Sequence, residues 1–276
     1  MEPQKVTEGG RNRRQSVALV WMVAPLIALG AAWQPLYAAA RGLSLAPWTV
    51  PLLLSVGFAL LVWALEAATW PAAAIGAMIC MVLAEPRRTG AGVNGAALSG
   101  LVGLFVLTFA ATRFGRAKKE VQKLAERRGG RRASQIVANL GVAGLCASMG
   151  WHGGCIAALA EAAADTVSSE IGQAIGGQAW MITTGRRVAV GTDGGISMAG
   201  TVAGVMAASV VVGAGGIHGA LSAPEALLVF AAACAGLAFD SVLGATVERS
   251  GWLGNDLVNF SSTLFAALVV VAWMLT

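Results

Sequence analysis

Along this chain, apolar runs of membrane length alternate with short polar breaks, and the pattern predicts a bundle of helices. A bilayer is crossed by about 20 apolar residues in a helix. Runs at 17–40, 49–68, 70–84, 93–112, 134–150, 154–172, 197–216, 224–247 and 256–275 meet or approach that length. The expected fold is all-α, a polytopic transmembrane bundle of nine spans, with seven as the lower bound. The run at 70–84 is the shortest and opens at Trp70-Pro71. The first run ends in Ala38-Ala39-Ala40, which imitates a signal-peptidase site, but it exceeds the roughly 7–15 residue core of a signal peptide and reads as a span. The organisation follows: a basic tail at 1–16, helices at 17–112, a basic loop at 113–133 and a second set of helices at 134–276.

One stretch breaks the pattern. From Glu161 to Ser197 an apolar helix acquires the carboxylates of Glu161, Asp165 and Glu170, then gives way to a polar loop rich in Gly, Thr and Arg. An ionised side chain inside a membrane costs at least about 2.5 kcal/mol and normally faces a cavity, a partner or an ion. The remainder of the chain reads as scaffolding for this stretch.

Composition agrees with lipid as the main solvent. The chain is 57% hydrophobic and 12% charged, whereas soluble domains carry about 25% charged residues. Its 36 glycines suit close helix packing, and GTVAG (200–204) and GQAIG (172–176) fit the small-xxx-small pattern. The net charge of +5 is read as topology, with no nucleic-acid partner, because Lys and Arg collect in cytoplasmic loops. With the N-terminus inside and nine crossings, 16 of the 19 basic residues fall inside and only Arg41, Arg87 and Arg88 outside. That orientation gathers the polar loop, Asp240 and the 255–259 segment on the cytoplasmic face, and a bacterial inner membrane is the expected location. The nine Lys and Arg residues of 113–132 read as a solvated basic surface helix able to touch anionic lipid. Cys80, Cys146, Cys155 and Cys234 stand singly in apolar runs and read as small buried hydrophobes. His152 and His218 fall at the opposite membrane face and are read as interfacial.

At 100° per residue, Asp165 shares a helix face with Glu161, Ser168 and Ser169, while Glu170 lies roughly 140° away. The two acids cannot point the same way unless the helix is bundled or loosens near Gly172. Together with Asp240 they suit a hard divalent cation, and Mg²⁺ takes one or two carboxylates, waters and substrate phosphates. Downstream, Thr183, Thr184 and Thr192 offer hydroxyls, and Gly191, Gly194 and Gly195 let backbone N–H groups approach an anion. Arg186 and Arg187 bring positive charge, and Ser197 opens a helix whose N-terminus favours anions. Glu66 reads as an acid at the membrane interface.

Four ordered segments, ADTVSSEIG (164–172), TTGRRVAVGTDGG (183–195), DSVLGAT (240–246) and NDLVNF (255–260), resemble one integral-membrane family. That family includes the plant phytyl-phosphate kinase and an uncharacterised multi-span animal protein, and the likeness runs from about residue 131 to the C-terminus. It implies a wider likeness to CTP-dependent lipid kinases and cytidylyltransferases. By that likeness Asp165 and Glu170 match metal-binding acids, and Arg187 matches the usual loop lysine. Gly191, Thr192, Gly194 and Gly195 match the phosphate loop, while Asp240, Asn255 and Asn259 match later polar positions. Arg187 in place of Lys changes the donor geometry, and Ala189 stands where Pro is common.

The implied activity is transfer of a phosphoryl group from a nucleoside triphosphate, CTP or ATP, to an isoprenoid monophosphate such as phytyl or geranylgeranyl phosphate, with Mg²⁺. Asp165, Glu170, Asp240 and Arg187 would be catalytic. A prenyl-alcohol kinase or a lipid cytidylyltransferase stands as the nearest alternative, an ion-coupled transporter as the alternative from another class, and a homodimer is open. The first four spans carry almost none of the polar constellation, and whether they form a lipid-tail vestibule or only packing is open at this point.

Overall fold

The computed structural model describes residues 3–86, 95–122, 124, 129–217 and 220–275; Arg87, Arg88 and His218 from the sequence reading lie outside these. The described residues form ten α-helices and one small sheet. The helices are α1 (Pro3–Ala40), α2 (Thr49–Ala64), α3 (Trp70–Leu83), α4 (Gly95–Arg113), α5 (Arg116–Val121), α6 (Ala133–Ser148) and α7 (His152–Ile175), then α8 (Met198–Gly216), α9 (Ala223–Leu243) and α10 (Asn255–Met274). Each of the nine expected runs is a helix. Six of them are long and apolar enough to cross a membrane: α1, α2 together with the 3₁₀ turn Ala46–Trp48 before it, α4, α8, α9 and α10. The other three depart for separate reasons. Helices α3 and α6 have only 14 and 16 residues, and α7, with 24 residues, carries three carboxylates.

Helix α7 is the axis of the bundle, packed against α4, α6, α8, α9 and α10. Its Ala- and Gly-rich sequence is buried on almost every side from Gly153 to Val167, as a helix apolar all round must be. Small residues make the approach possible. A Cβ on Gly200 would stand 2.6 Å from the Ser168 carbonyl oxygen, and one on Gly204 would stand 2.8 Å from that of Ala164. The glycines of GTVAG are therefore the α7–α8 contact. Helices α1 and α2 instead present large apolar side chains outward, Trp21 being 74% exposed and Leu53 71%, as lipid-facing surfaces do.

Local signals set the ends. Ser222 starts α9 with a reciprocal cap, its N–H donating to Glu225 Oε2 at 2.7 Å. Ser197 Oγ accepts from the Gly200 N–H at 3.2 Å and starts α8. Helix α9 runs into a π-helical segment, Gly244–Glu248.

The polar loop is not irregular. Strands β1 (Ala179–Met181), β2 (Arg187–Val188) and β3 (Gly195–Ile196) form an antiparallel sheet in the order β2-β1-β3. The basic segment is also not a wholly solvated helix. Among the described residues after Arg113, α5 is the helical part, and it turns two lysines inward. Lys118 Nζ donates to the carbonyls of Ala174 and Ile175 at 2.9 and 2.8 Å, closing the C-terminus of α7. Lys119 is fully buried and donates to Ala111 and Thr112 at the end of α4.

Candidate functional site

A polar cavity of about 280 Å³ opens where α7, the sheet loop, the end of α9 and the start of α10 meet. Helix α7 supplies the floor. Asp165 lines the cavity, and Glu161, one turn earlier on the same face, is buried behind it with its Oε1 lacking a hydrogen-bond partner. Gly236 of α9 leaves room for Glu161: a Cβ there would stand 2.6 Å from Glu161 Cγ. Asp240 enters from α9, within side-chain hydrogen-bonding reach of Asp165, and accepts from Ser262 Oγ at 3.4 Å.

Helix α7 does not loosen at Gly172, yet Glu170 still borders the cavity. The cavity wraps partly around the helix, so two acids on different faces both reach its wall. They are not equivalent. Glu170 forms a buried ion pair with Lys119, whose ammonium is fixed by the α4 carbonyls. The carboxylates that approach one another from separate helices are Asp165 and Asp240.

The glycine turn forms the roof. Gly191 and Gly194 have φ of +81° and +73°, conformations that other residues adopt only under strain. A Cβ on Gly194 would lie 2.3 Å from the Ala245 N, and one on Gly244 would lie 2.8 Å from the Gly194 N. The TDGG and DSVLGAT motifs thus touch backbone to backbone. Gly195 and Ser197 line the cavity, and so does Thr192, whose hydroxyl donates to the Ala189 carbonyl at 2.7 Å. On the far wall, Asn255 donates to Asn259 and Asn259 to Asn139 of α6, at 3.3 and 3.4 Å.

Four expected phosphate ligands are elsewhere. Thr183, Thr184, Arg186 and Arg187 are exposed on the β1–β2 hairpin and do not line the cavity. Strand pairing explains this, since Arg187 is paired with Trp180 in the sheet. With the Gln178 amide oxygen turned toward it, the Arg187 guanidinium donates to that oxygen at 2.9–3.2 Å. Thr184 Oγ1 accepts from the Arg186 N–H at 3.4 Å and shapes the turn.

The arginine that lines the cavity is Arg131, at the start of α6, and its charge acts on Asp165. Sequence reading placed it among nine similar residues, with nothing local to single it out. Its backbone is fixed to the α2–α3 turn: Arg131 N–H donates to the Ala67 carbonyl at 2.9 Å, and the Thr69 N–H donates to the Arg131 carbonyl at 3.0 Å. Gly130, at φ +80°, permits this, since a Cβ there would meet the Ala68 N at 2.6 Å. Asn139 and Glu248 also line the cavity and were not anticipated. Asn139 had a readable signal, a lone amide in the middle of an apolar run. Asp193 lies in the turn, where burial pushes its carboxyl above the usual range and nearby Arg249 opposes that shift.

The lining therefore holds five carboxylates, those of Asp165, Glu170, Asp193, Asp240 and Glu248, and one arginine. Such a surface binds phosphates only with added positive charge. Among the described residues no three His, Cys, Asp or Glu side chains are arranged as a protein-only metal cage. A hard cation of the Mg²⁺ type needs only one or two carboxylates, the rest being water and phosphate. Asp165 and Asp240 could supply those, with the unpartnered oxygen of Glu161 behind them.

Comparison with known proteins places this sequence in a family. The sequence pattern of the integral membrane protein DUF92 family matches residues 53–267, which include every residue of the cavity. Protein VTE6, chloroplastic, of Arabidopsis thaliana is 31% identical over 238 residues, covering 74% of this chain and 71% of that one. An uncharacterised membrane protein of Methanocaldococcus jannaschii is 33% identical over 180 residues, covering 62% and 73% respectively. One from Synechocystis is 32% identical over 179 residues, covering 60% and 69%. No solved structure matches the chain. With most of its length matched, including both the acidic helix and the glycine turn, the chain belongs to the DUF92 family of integral membrane proteins.

Proposed function

We propose that the polar cavity transfers the γ-phosphoryl group of a nucleoside triphosphate, CTP or ATP, to an isoprenoid monophosphate, giving the prenyl diphosphate. The observation that carries the reading is the convergence of the four motif segments: Asp165, the 191–195 turn, Asp240 and the Asn255–Asn259 pair border one cavity. Their resemblance to the family of the plant phytyl-phosphate kinase, together with the similarity to Protein VTE6, supports the same chemistry.

The reaction asks for positioning and charge control more than for covalent chemistry. A phosphate oxygen of the acceptor attacks the γ-phosphorus. One P–O bond forms, the bond to the β-phosphate oxygen breaks, and the nucleoside diphosphate leaves. The acceptor phosphate has a second pKa of about 6, so near neutral pH its attacking oxygen is already largely deprotonated. No side chain then has to remove a proton. Asp165 and Asp240, from helices held together at Gly236, would hold Mg²⁺, which when bound screens the donor phosphates from the carboxylates. Arg131 holds the acceptor phosphate, and the 191–195 turn borders the space for the donor phosphates. Lys119 neutralises Glu170 and limits the negative charge the substrates encounter. The hairpin arginines, Arg186 and Arg187, lie outside this arrangement. The cavity belongs to the cytoplasmic face of the membrane in this reading, where nucleotides are available.

The test is phosphoryl transfer by the purified full chain, with γ-labelled CTP or ATP and geranylgeranyl or phytyl monophosphate. Labelled prenyl diphosphate from wild type and none from Asp165→Asn is the expected result. Product only from the prenyl alcohols would replace the acceptor, and no product from either class in folded protein would overturn the kinase reading.

A further inference from the structure

A second cavity, of about 330 Å³, lies between α2, α3, α4 and α6. Its walls are mainly apolar, with Phe58, Val62, Leu101, Leu104, Phe105 and Phe109 among them. This volume is within the roughly 300–1,000 Å³ range of small-molecule sites. Two polar residues line it as well as the first cavity: Arg131 and Asn139. Helix α7 is a wall common to both, presenting Ala162 to the apolar space and Asp165, three residues on, to the polar one.

We propose that this cavity holds the hydrocarbon chain of the isoprenoid monophosphate, with Arg131 and Asn139 at the neck where chain meets phosphate. The assignment rests on the kinase reading of the polar cavity and adds to it the site of the tail. An apolar space joined to a polar one through an arginine matches an amphiphile with an anionic head. The neck is built rather than incidental, because the Arg131 backbone is tied on both sides to the α2–α3 turn. Arg113, Arg116 and Glu66 also line the apolar space, with Arg113 donating to the Leu65 carbonyl at 3.0 Å and Arg116 paired with Glu120.

The space is open because α3 carries small residues toward it. Gly76 and Ala72 line the cavity, and a Cβ added at Gly76 would meet nothing within 4 Å. Protein interiors are otherwise close-packed, and a glycine within a helix is less favourable than alanine. Spans α2, α3 and α4, closed by α6, therefore supply the chain site for a reaction whose polar groups belong to the second half. A side chain larger than Gly at position 76 shortens the space that a chain can enter.

The experiment is photo-crosslinking of the full chain in lipid nanodiscs. The probe is geranylgeranyl monophosphate carrying a diazirine at the end remote from the phosphate, and labelled peptides are mapped by mass spectrometry. Label on the 58–76 and 101–109 segments, displaced by unlabelled geranylgeranyl monophosphate, is expected. Gly76→Phe should weaken that displacement about tenfold, since each methylene denied an apolar site forfeits about fourfold in affinity. Label confined to the lipid-facing surface of α1, or cavity label that excess phospholipid displaces as well as prenyl phosphate does, overturns the proposal. The wild-type map decides the matter even if the Gly76 variant fails to fold. Competed cavity label without phosphoryl transfer from any nucleotide would sustain the chain site and remove the kinase reading. Transfer with label elsewhere would do the reverse.

Discussion

Replacing Lys119 by Met takes the ammonium from a nearly buried carboxylate. Lys119 Nζ donates to Glu170 and to the carbonyls of Ala111 and Thr112, the latter two at 3.2 and 3.0 Å, and Lys119 itself is 0% exposed. Removing one partner of a buried pair costs about 3–5 kcal/mol, because the other charge stays buried. Glu170→Gln leaves an ammonium that keeps two carbonyl acceptors, so about 2–3 kcal/mol is expected. The double variant buries no charge and loses the two carbonyl bonds, about 1 kcal/mol each. It should therefore be more stable than Lys119→Met alone, with a coupling of at least about 2 kcal/mol between the sites. Equilibrium unfolding in mixed micelles with increasing SDS, followed by tryptophan fluorescence, gives the three free energies. Strict additivity of the two single changes would refute the buried-pair argument. Transfer activity separates a second issue: if Glu170 contributes only through Lys119, the double variant recovers much of the activity lost in Lys119→Met, whereas a metal-binding Glu170 leaves both inactive.

Gly194→Ala forces a Cβ to within 2.3 Å of the Ala245 N at a positive φ; a loss of at least about 2 kcal/mol is expected, and SDS unfolding indistinguishable from wild type would contradict the close approach. Arg186→Ala and Arg187→Ala should each change kcat/KM by less than about threefold, the scale of a solvent-exposed charge, whereas a loss beyond tenfold would bring the hairpin back into the site. Asp193 has its carboxyl raised by burial against the opposing pull of Arg249. A raised acid stabilises the fold below its unfolded value of about 3.9 and loses that stability as pH rises through its folded value. Asp193→Asn should therefore match wild type in melting temperature near pH 4 and exceed it at pH 7, and equal values throughout would show that Arg249 cancels the burial.

Apolar run length made the helices legible: each of the nine runs is a helix, and six of them have membrane length and apolarity. The acid at Asp165 was legible for the same reason, as a charge in the wrong solvent. Residues 177–196 were not, since strands of three, two and two residues leave no alternation to count. That omission carried Arg186 and Arg187 into the expected phosphate site, when strand pairing directs Arg187 toward Gln178. Lys118 and Lys119 were hidden differently. A basic run looks solvated in sequence, and only the C-termini of α4 and α7, with their unmet carbonyls, call two of its members inward. Arg131 depended on the α2–α3 turn some sixty residues away, a pairing no local pattern encodes. Glu161 was visible on the Asp165 face, yet its burial follows from Gly236 in another helix.

The π-helical winding at Gly244–Glu248 gives the end of α9 a phase that ordinary α-helical counting misses. Such a segment holds one residue more than an α-helix spanning the same rise. Winding the same five residues as an α-helix would leave the apolar pattern upstream unchanged. What changes is the aim of everything beyond: Glu248 and Arg249 would swing by about 100°, one away from the cavity and the other away from Asp193. The winding of the backbone is therefore specified at the point where the eighth apolar run meets the glycine turn, although hydropathy alone would accept either form.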